Sequence, residues 1–288
     1  MTALVLDGGL STRLERLGAD LSDDLWSARL LLERPELIRQ AHADYFAAGA
    51  DVATTAGYQA TIPGFVRRGL SVSEAESLIT RSVELAGQAR DEAGRGLVAA
   101  SIGPYGAFLA NGAEYTGDYD LDEDGLYAWH RPRWEIVASA GADLLACETI
   151  PSYPEARALA RLLTGTPGVK AWVSFSCRDG HRLNDGTPIR EAAALFAGNP
   201  RVVAVGANCT PPRHIPSLIA QLSGGLPVVV YPNSGETWDA GHRRWLGLSD
   251  PAEFGEAAVK WHRAGASLIG GCCRTTPDHI EQIRTHLS

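Results

Sequence analysis

Short apolar runs alternate along the chain with longer segments in which apolar residues recur every three or four positions. Short apolar runs are typical of buried parallel strands, and the longer periodic segments are typical of amphipathic helices. The predicted strands are 3–6, 51–54, 97–102, 143–147, 171–175, 202–205, 227–231 and 267–269. The predicted helices between them include 35–48, 73–93, 126–140, 154–163, 189–197, 214–221 and 251–264.

Two of these helices carry recognisable start signals. Pro35 suits the first turn of a helix, because the N–H that proline lacks has no partner there. Ser73 and Glu76 have the spacing of a capping box. We therefore expect helices to begin close to these two positions.

Eight strands alternating with helices predict a (β/α)8 barrel of the TIM type. Such barrels occupy about 250 residues, and the 288-residue chain contains no low-complexity linker. We therefore expect one domain over residues 1–288. A doubly wound open sheet has the same alternation and is the structural alternative. The barrel brings the first and last strands together, whereas the open sheet separates them.

Acidic and thiol side chains follow the predicted strands at the end where a barrel builds its active site. Asp7 follows the first strand and Glu148 the fourth. Cys209 lies just past the sixth strand, and Cys272 and Cys273 lie just past the eighth. If the barrel forms, these five residues converge on one rim.

The adjacent pair Cys272 and Cys273 needs a reason. Neighbouring α-carbons are about 3.8 Å apart, whereas disulfides favour about 4.4–6.8 Å, so a disulfide within the pair would be strained. Gly270 and Gly271 would let the backbone leave the strand at low cost. With Cys209 the pair could form a three-thiolate zinc site with one open position, as in catalytic zinc sites.

Some side chains allow a structural interpretation beside a functional one. The three cysteines could instead be buried small hydrophobic residues, which is how we interpret Cys147 and Cys177. Asp7 could hold its glycine-rich loop, whose N–H groups could also bind an anion, and Glu148 could cap the following helix.

Aromatic residues are prominent in the predicted loops. A cationic ligand could lie against their ring faces, or the rings could simply close the loops over the barrel. The residues in question are Tyr105, Tyr119, Trp238 and Trp245. His42, on the helix after Pro35, is interpreted as a packing residue or a residue of the helix surface rather than a catalytic one.

Net charge and hydropathy limit the classes of binding partner and the cellular locations that fit this chain. The formal charge of −8 argues against nucleic acid or an anionic membrane as a partner and favours small molecules. We see neither a signal peptide nor a run of apolar residues long enough to cross a membrane. Five cysteines, an odd number, fit a reducing compartment, and we expect a cytoplasmic protein.

Several motifs resemble those of one family over nearly the whole chain. They are "LDGGLSTRLE", "SIGPYGAFLANGAEYTGDY", "ETIPS", "GANCT", "VVYPNSGETWD" and "GGCCRTTPDHI". Their presence and order resemble the homocysteine S-methyltransferases, in particular the short bacterial enzymes that use S-methylmethionine. The resemblance implies methyl transfer to L-homocysteine with formation of methionine.

The resemblance also implies roles for individual residues. The zinc ligands of the family correspond to Cys209, Cys272 and Cys273. Asp7 and Glu148 would hold the amino-acid part of homocysteine. Asn208 would support the cysteine loop and, like Thr149, count among the substrate-binding residues. Family members that use betaine have tyrosine where this chain has Thr149, which argues against betaine.

Two other functions stay open at this point. The same chemistry could use S-adenosylmethionine as donor or selenocysteine as acceptor. A non-catalytic zinc-binding protein on a barrel scaffold is the alternative from a different class. An amino-acid substrate explains Asp7 and Glu148 better than metal storage does.

Overall fold

A computed structural model of the chain describes residues 3–21, 25, 27–239, 244–246 and 249–288, and for 237–239 and 244–246 only the backbone. Within these residues, eight parallel strands form one sheet, and two short strands form an antiparallel pair. The strands are β1 (Leu4–Val5), β2 (Val52–Thr54), β3 (Leu97–Ile102), β4 (Leu144–Ile150), β5 (Ala171–Phe175), β6 (Val202–Asn208), β7 (Val228–Tyr231), β8 (Thr237–Asp239), β9 (Arg244–Leu246) and β10 (Ala266–Ile269).

The large sheet closes on itself. Its strand order is β1-β10-β7-β6-β5-β4-β3-β2. Val5 pairs with Ile269 across β1 and β10, and a parallel bridge joins Leu6 to Val52 beside β2. The Asp7 N–H donates to the Val52 carbonyl at 3.0 Å across the same seam. The predicted (β/α)8 barrel, with its first and last strands adjacent, is confirmed, and the open-sheet alternative is excluded.

Helices separate the barrel strands along the chain. In the described residues they are α1 (Leu10–Arg16), α2 (Ser27–Glu33), α3 (Pro35–Ala47), α4 (Ile62–Val66), α5 (Val72–Ala93), α6 (Tyr105–Leu109), α7 (Glu123–Ser139), α8 (Tyr153–Gly165), α9 (Ile189–Ala194), α10 (Ile215–Leu222), α11 (Pro251–Ala264) and α12 (Pro277–Leu287). None of these helices has the length and apolar character needed to span a membrane.

The helix-start signals are confirmed in one case and corrected in the other. Pro35 occupies the first turn of α3 as predicted. The capping box of α5 is formed by Ser71 and Glu74, not by Ser73 and Glu76. The Ser71 hydroxyl accepts from the Glu74 N–H, and the Glu74 carboxylate accepts from the Ser71 N–H. Both Ser71 and Ser73 have a glutamate three positions later, so either could cap the helix. The helix begins at Val72, which makes Ser71 the capping residue.

The barrel interior is filled by side chains that alternate along the strands. Two rings, Trp172 and Tyr231, pack there beside small alanines, so that the volumes complement each other. The inner cluster contains Leu6, Val52, Ala99, Ala146, Trp172, Ala204, Val229, Tyr231 and Leu268. The residues between them on the strands pack outward against the helices.

Two strands run further than the sequence predicts, and this affects the site. The prediction ends the fourth strand at residue 147 and the sixth at residue 205, whereas β4 ends at Ile150 and β6 at Asn208. Polar residues such as Glu148 broke the apolar pattern, although the backbone continues as a strand. The β8–β9 pair is an addition to the predicted elements, and the side chains of Trp238 and Trp245 lie outside the described part of the chain.

Candidate active site

The predicted rim residues meet at the C-terminal mouth of the barrel. Asp7 follows β1, Glu148 lies near the end of β4, and Cys209 directly follows β6. Cys272 and Cys273 lie just beyond β10. Three thiols and two carboxyl groups therefore open onto one space, because parallel strands of a barrel end on the same face.

The thiol sulfurs of Cys209, Cys272 and Cys273 lie within 4.8 Å of one another and form a group able to hold a metal ion. The Cys209 and Cys273 sulfurs are 3.5 Å apart. Around a tetrahedral zinc ion with Zn–S bonds of about 2.3 Å, sulfurs are about 3.8 Å apart. The spacing fits such an ion, and all three cysteines are free thiols.

Three residues at the barrel mouth have backbone angles in the left-handed region, where the chain turns sharply near or beyond the end of a strand. Thr149, Cys209 and Arg274 have φ of 62°, 49° and 69°. Non-glycine residues rarely adopt such angles, and each one costs about 1–3 kcal/mol. Three such residues beside the thiols and Glu148 show that the surrounding structure holds these loops in a strained conformation.

Gly270 and Gly271 are needed for space. A Cβ on Gly270 would lie 2.6 Å from Leu6 Cβ, and one on Gly271 would lie 2.3 Å from Thr275 Oγ1. Neither glycine has a positive φ; the left-handed turn is made by Arg274. The close approach ties the cysteine loop to the end of β1, and the Gly271 N–H donates to the Asp7 carbonyl at 3.1 Å.

The three thiols are close enough to shift one another's pKa values. Hydrogen bonds from Cys209 and Cys272 hold the pKa of Cys273 well below that of an ordinary thiol. The hydrogen bonds that Cys272 makes with Cys209 and Cys273 raise its own pKa. Metal binding requires deprotonated thiols, so a bound cation would compete with the protons of this cluster.

Asp7 is buried, with 4% of its surface exposed. Its carboxyl oxygens accept from the Thr54 N–H at 2.7 Å and from the Thr54 hydroxyl at 3.0 Å. Burial, with a smaller contribution from the nearby Glu148, raises the pKa of Asp7 to about 8 against the effect of these hydrogen bonds. No positively charged side chain in the described part of the chain contributes to the Asp7 pKa.

Glu148 is the second buried carboxyl group, with 8% of its surface exposed. It accepts a short hydrogen bond from the Ser101 hydroxyl and another from Tyr231. Burial raises its pKa to about 7. Since Asp7 and Glu148 repel each other, a cation between them would stabilise both.

Asn208 holds the strained residue next to Glu148. Its carbonyl oxygen accepts from the Thr149 N–H at 2.7 Å, and its amide group donates to the Thr149 hydroxyl at 2.7 Å. Ser174 also donates to Asn208 at 2.8 Å. Asn208 is fully buried and supports the backbone at Thr149. The predicted substrate contacts of Asn208 and Thr149 stay predictions.

Sequence reasoning missed the hydroxyl groups that support Asp7, Glu148 and Asn208. Each of them lies at or near the end of an apolar strand: Thr54 in β2, Ser101 in β3, Ser174 in β5 and Tyr231 in β7. A polar residue in such a position of an apolar run is a signal that could have found them.

The loop aromatics divide into two groups. The ring of Tyr105 packs edge-on against Tyr119 and Trp129, with centroids 5.3 and 5.1 Å apart, which supports the loop-closing interpretation. Tyr115, not singled out in the sequence, has its hydroxyl 3.3 Å from the Cys209 sulfur.

The glycine-rich loop after Asp7 could bind an anion through its N–H groups. One of them, the Gly9 N–H, donates to Thr275 Oγ1 at 3.0 Å and is therefore already used within the protein.

The residues interpreted as packing residues are buried as expected. His42 is fully buried on α3. Cys147 and Cys177 are buried outside the thiol cluster, and burial raises the pKa of both thiols, that of Cys147 to about 12. Such thiols are poor nucleophiles and metal ligands at neutral pH.

Fold and site together define a (β/α)8 barrel whose mouth carries a three-thiol group able to hold a metal ion, beside two buried carboxyl groups. The family model for homocysteine S-methyltransferase matches residues 4–287. The chain belongs to the homocysteine S-methyltransferase family.

Individual relatives agree with this assignment. The chain is 51% identical to the homocysteine S-methyltransferase YbgG of Bacillus subtilis, over 97% of this chain and 93% of that protein. The metallated form of the Escherichia coli homocysteine methyltransferase MmuM superimposes with a TM-score of 0.89 at 48% identity, covering 99% of this chain and 96% of that one. A selenocysteine Se-methyltransferase of Brassica oleracea var. italica is 45% identical over 98% of this chain and 88% of that protein.

Proposed function

We propose that the protein transfers a methyl group from a sulfonium donor, S-methylmethionine in the first place, to the sulfur of L-homocysteine, with zinc as its metal ion. The observation that carries this proposal is the convergence of three clustered thiols and two buried carboxyl groups at one barrel mouth. Membership of the family supports the same reaction.

Cys209, Cys272 and Cys273 are the residues that would hold the zinc ion. Bound there, zinc would lower the pKa of the homocysteine thiol, which at about 8.5 is mostly protonated at neutral pH. Hydrogen bonds with Cys209 and Cys272 hold the pKa of the Cys273 thiol below that of an ordinary thiol.

Asp7 and Glu148 would bind the ammonium group of homocysteine. Both carboxyl groups are buried and repel each other, and burial raises the pKa of each. An ammonium group placed between them compensates both charges and supplies the hydrogen-bond donors that the carboxyl oxygens accept. A metal-storage protein would have no need for this pair, which favours a substrate over simple metal binding.

The transfer itself asks little more of the protein than alignment. The homocysteine sulfur attacks the methyl carbon as the bond from that carbon to the donor sulfur breaks, and the donor leaves as a neutral thioether. No general acid is needed, because the leaving group takes up no proton. The protein holds the two substrates in line and excludes water. With S-methylmethionine as donor, both products are methionine.

The donor is proposed on chemical grounds. Thr149 stands where betaine-using members have tyrosine, which favours a sulfonium over betaine, with S-adenosylmethionine as the alternative sulfonium. We also propose that residues 1–288 act as one homocysteine-binding barrel domain on small molecules, with no nucleic-acid or membrane partner. Reduced thiols are needed at the site, so we propose the cytoplasm as its location.

Selenocysteine is a second candidate acceptor. The selenocysteine Se-methyltransferase of Brassica oleracea var. italica, at 45% identity, supports this alternative. The selenol of selenocysteine would have the role of the homocysteine thiol in the scheme above, on a side chain one methylene shorter. The same buried carboxyl pair would bind its ammonium group.

The test is an assay of the zinc-loaded protein with each donor and each acceptor. We expect methionine from homocysteine with S-methylmethionine at least about tenfold faster than with betaine, a discrimination within the range of enzyme specificity. Selenocysteine in place of homocysteine measures the second candidate directly. Comparable turnover with betaine would overturn the donor proposal. Binding of zinc without turnover of any donor would instead favour the non-catalytic alternative.

A further inference from the structure

A buried carboxylate that the proposed reaction has not used lies in the loop after β3. Glu114 belongs to a short 3-10 helix, Ala113–Tyr115. The Ser176 hydroxyl, just after β5, donates to the Glu114 carbonyl at 3.1 Å and to the Thr149 carbonyl at 3.2 Å. A Cβ on Gly106 would lie 2.3 Å from the Glu114 nitrogen. The turn is therefore fixed in place at the barrel mouth.

The Glu114 carboxyl group is buried without an ion-pair partner among the residues that the structure describes. Only 8% of its surface is exposed. Among the residues that the structure describes, none forms a hydrogen bond to Oε2 of Glu114, and none forms a salt bridge with it. A buried carboxylate without a partner lowers the stability of the fold. A bound ligand that supplies the missing partner would explain why the protein has such a group.

The surroundings of Glu114 are those of the thiol cluster. Burial raises the pKa of Glu114, and the charge of nearby Cys273 adds to this effect. Glu114 also lies near the buried Tyr58, whose pKa is raised by burial, by Cys209 and by Glu114. The next residue, Tyr115, places its hydroxyl 3.3 Å from the Cys209 sulfur, while 46% of its surface is exposed. A carboxylate and an aromatic ring, two groups that attract cations, thus border the thiols on the side of the β3 loop.

We propose that Glu114 is the counter-ion of the sulfonium centre of the methyl donor, with the ring of Tyr115 as a second contact to the same cation. This inference rests on the proposed function, because it assigns the donor side of that reaction. It makes Glu114 a binding residue that selects positively charged donors.

The methyl donor carries two cationic groups, a sulfonium and an ammonium. The sulfonium is the one that would lie beside Glu114 and Tyr115. In-line attack requires the methyl carbon to approach the homocysteine sulfur to about 3–3.5 Å. The sulfonium therefore has to lie next to the thiol cluster, where Glu114 and Tyr115 are. Asp7 and Glu148, on β1 and β4, are already assigned to the acceptor's ammonium group.

The charge of the donor disappears during the reaction, which shapes the expected kinetics. A thiolate and a sulfonium become two neutral thioethers, so a carboxylate beside the sulfonium stabilises the bound donor more than the transition state. Loss of that carboxylate should raise the KM for the donor and leave kcat unchanged or somewhat higher.

The experiment compares wild type with Glu114→Gln, using S-methylmethionine and its neutral isostere 2-amino-5-methylhexanoic acid, in which CH replaces the sulfonium. We expect the KM for S-methylmethionine to rise about tenfold or more. The inhibition constant of the isostere, the KM for homocysteine and the zinc content should stay within about twofold. Asp118→Asn, an exposed carboxylate in the same loop, is the matched control and should behave as wild type.

An unchanged KM for S-methylmethionine in Glu114→Gln would overturn the inference. Equal weakening of the donor and the isostere would also overturn it, since Glu114 would then bind the ammonium group or merely support the loop. If Glu114→Gln does not fold, Tyr115→Leu at the exposed rim gives the same comparison, and equal effects on both ligands would again contradict the inference. Wild-type turnover distinguishes the two proposals, because a wild type inactive with every sulfonium donor refutes the reaction itself.

Discussion

At the scale of single residues, strain and unpaired charge are concentrated around the barrel mouth. Thr149, Cys209 and Arg274 have left-handed backbone angles, and burial raises the pKa of Asp7 and Glu148. Each of these features lowers stability in the free protein. A ligand with an ammonium group between Asp7 and Glu148 would offset the cost of burying these two carboxyl groups.

Asp7→Asn should therefore stabilise the protein in the absence of ligand. Because burial raises the Asp7 pKa from 3.8 to about 8, the protonated carboxyl favours folding below the unfolded value. This contribution is lost as the pH rises through the folded value. Asparagine does not titrate and can keep both hydrogen bonds to Thr54. We expect its melting temperature to exceed that of wild type by a margin that grows from about pH 5 to about pH 8.

The same variant should bind homocysteine more weakly, since half of the carboxyl pair is gone. Scanning calorimetry across this pH range, together with the KM for homocysteine, measures both effects. A melting temperature lowered equally at every pH would show that Asp7 holds its loop rather than awaiting a cation.

At the scale of the elements, the strands were predictable and their ends were not. Periodicity predicts the eight barrel strands because their buried middles are uniformly apolar. It cannot predict that β4 and β6 continue through Glu148 and Asn208, whose side chains find buried hydrogen-bond partners from other strands. Nor does the sequence reveal that no side chain fits at Gly270 and Gly271. The atoms that fill the space there belong to Leu6, directly after β1, and to Thr275.

Gly206, in the middle of β6, is the element-scale test. A Cβ there would lie 1.6 Å from the Val229 carbonyl oxygen in β7, so Gly206→Ala must push the two strands apart. Since Cys209 follows on the same strand, we expect a loss of about 3 kcal/mol or more of stability and weakened metal binding. Urea unfolding and metal analysis measure both.

A matched control is Gly87→Ala in α5. A Cβ there meets nothing within 4 Å, and alanine favours a helix over glycine by about 0.5–1 kcal/mol. This variant should be as stable as wild type or more so, with full metal content. If Gly206→Ala behaved in the same way, the close contact between β6 and β7 would be wrong.

At the scale of the whole molecule, barrel closure creates the site. Asp7 and Cys272 lie near opposite ends of the chain, and only the pairing of β1 with β10 brings their loops together. The sequence pattern was sufficient to predict this closure and the convergence of the thiols. The Glu114 and Tyr115 positions were not predictable, because they depend on how one long loop folds back over the mouth.

The barrel core does not depend on Cys209 or Cys273. The inner cluster around Trp172 and the outer layer against the helices contain neither residue, whereas Cys272 packs against the inner cluster. Loss of the Cys209 or the Cys273 thiol should therefore remove the metal and leave the fold in place, in contrast to small domains that need zinc to fold.

The most direct measurement is the zinc content of purified Cys273→Ala alongside its rate of methionine formation. Cys177→Ala, a buried thiol outside the cluster, serves as the control. We predict about one zinc per chain and full transfer in wild type and Cys177→Ala. In Cys273→Ala we predict neither zinc nor transfer, with an unchanged circular dichroism spectrum. Full activity in a zinc-free Cys273→Ala protein would contradict the account.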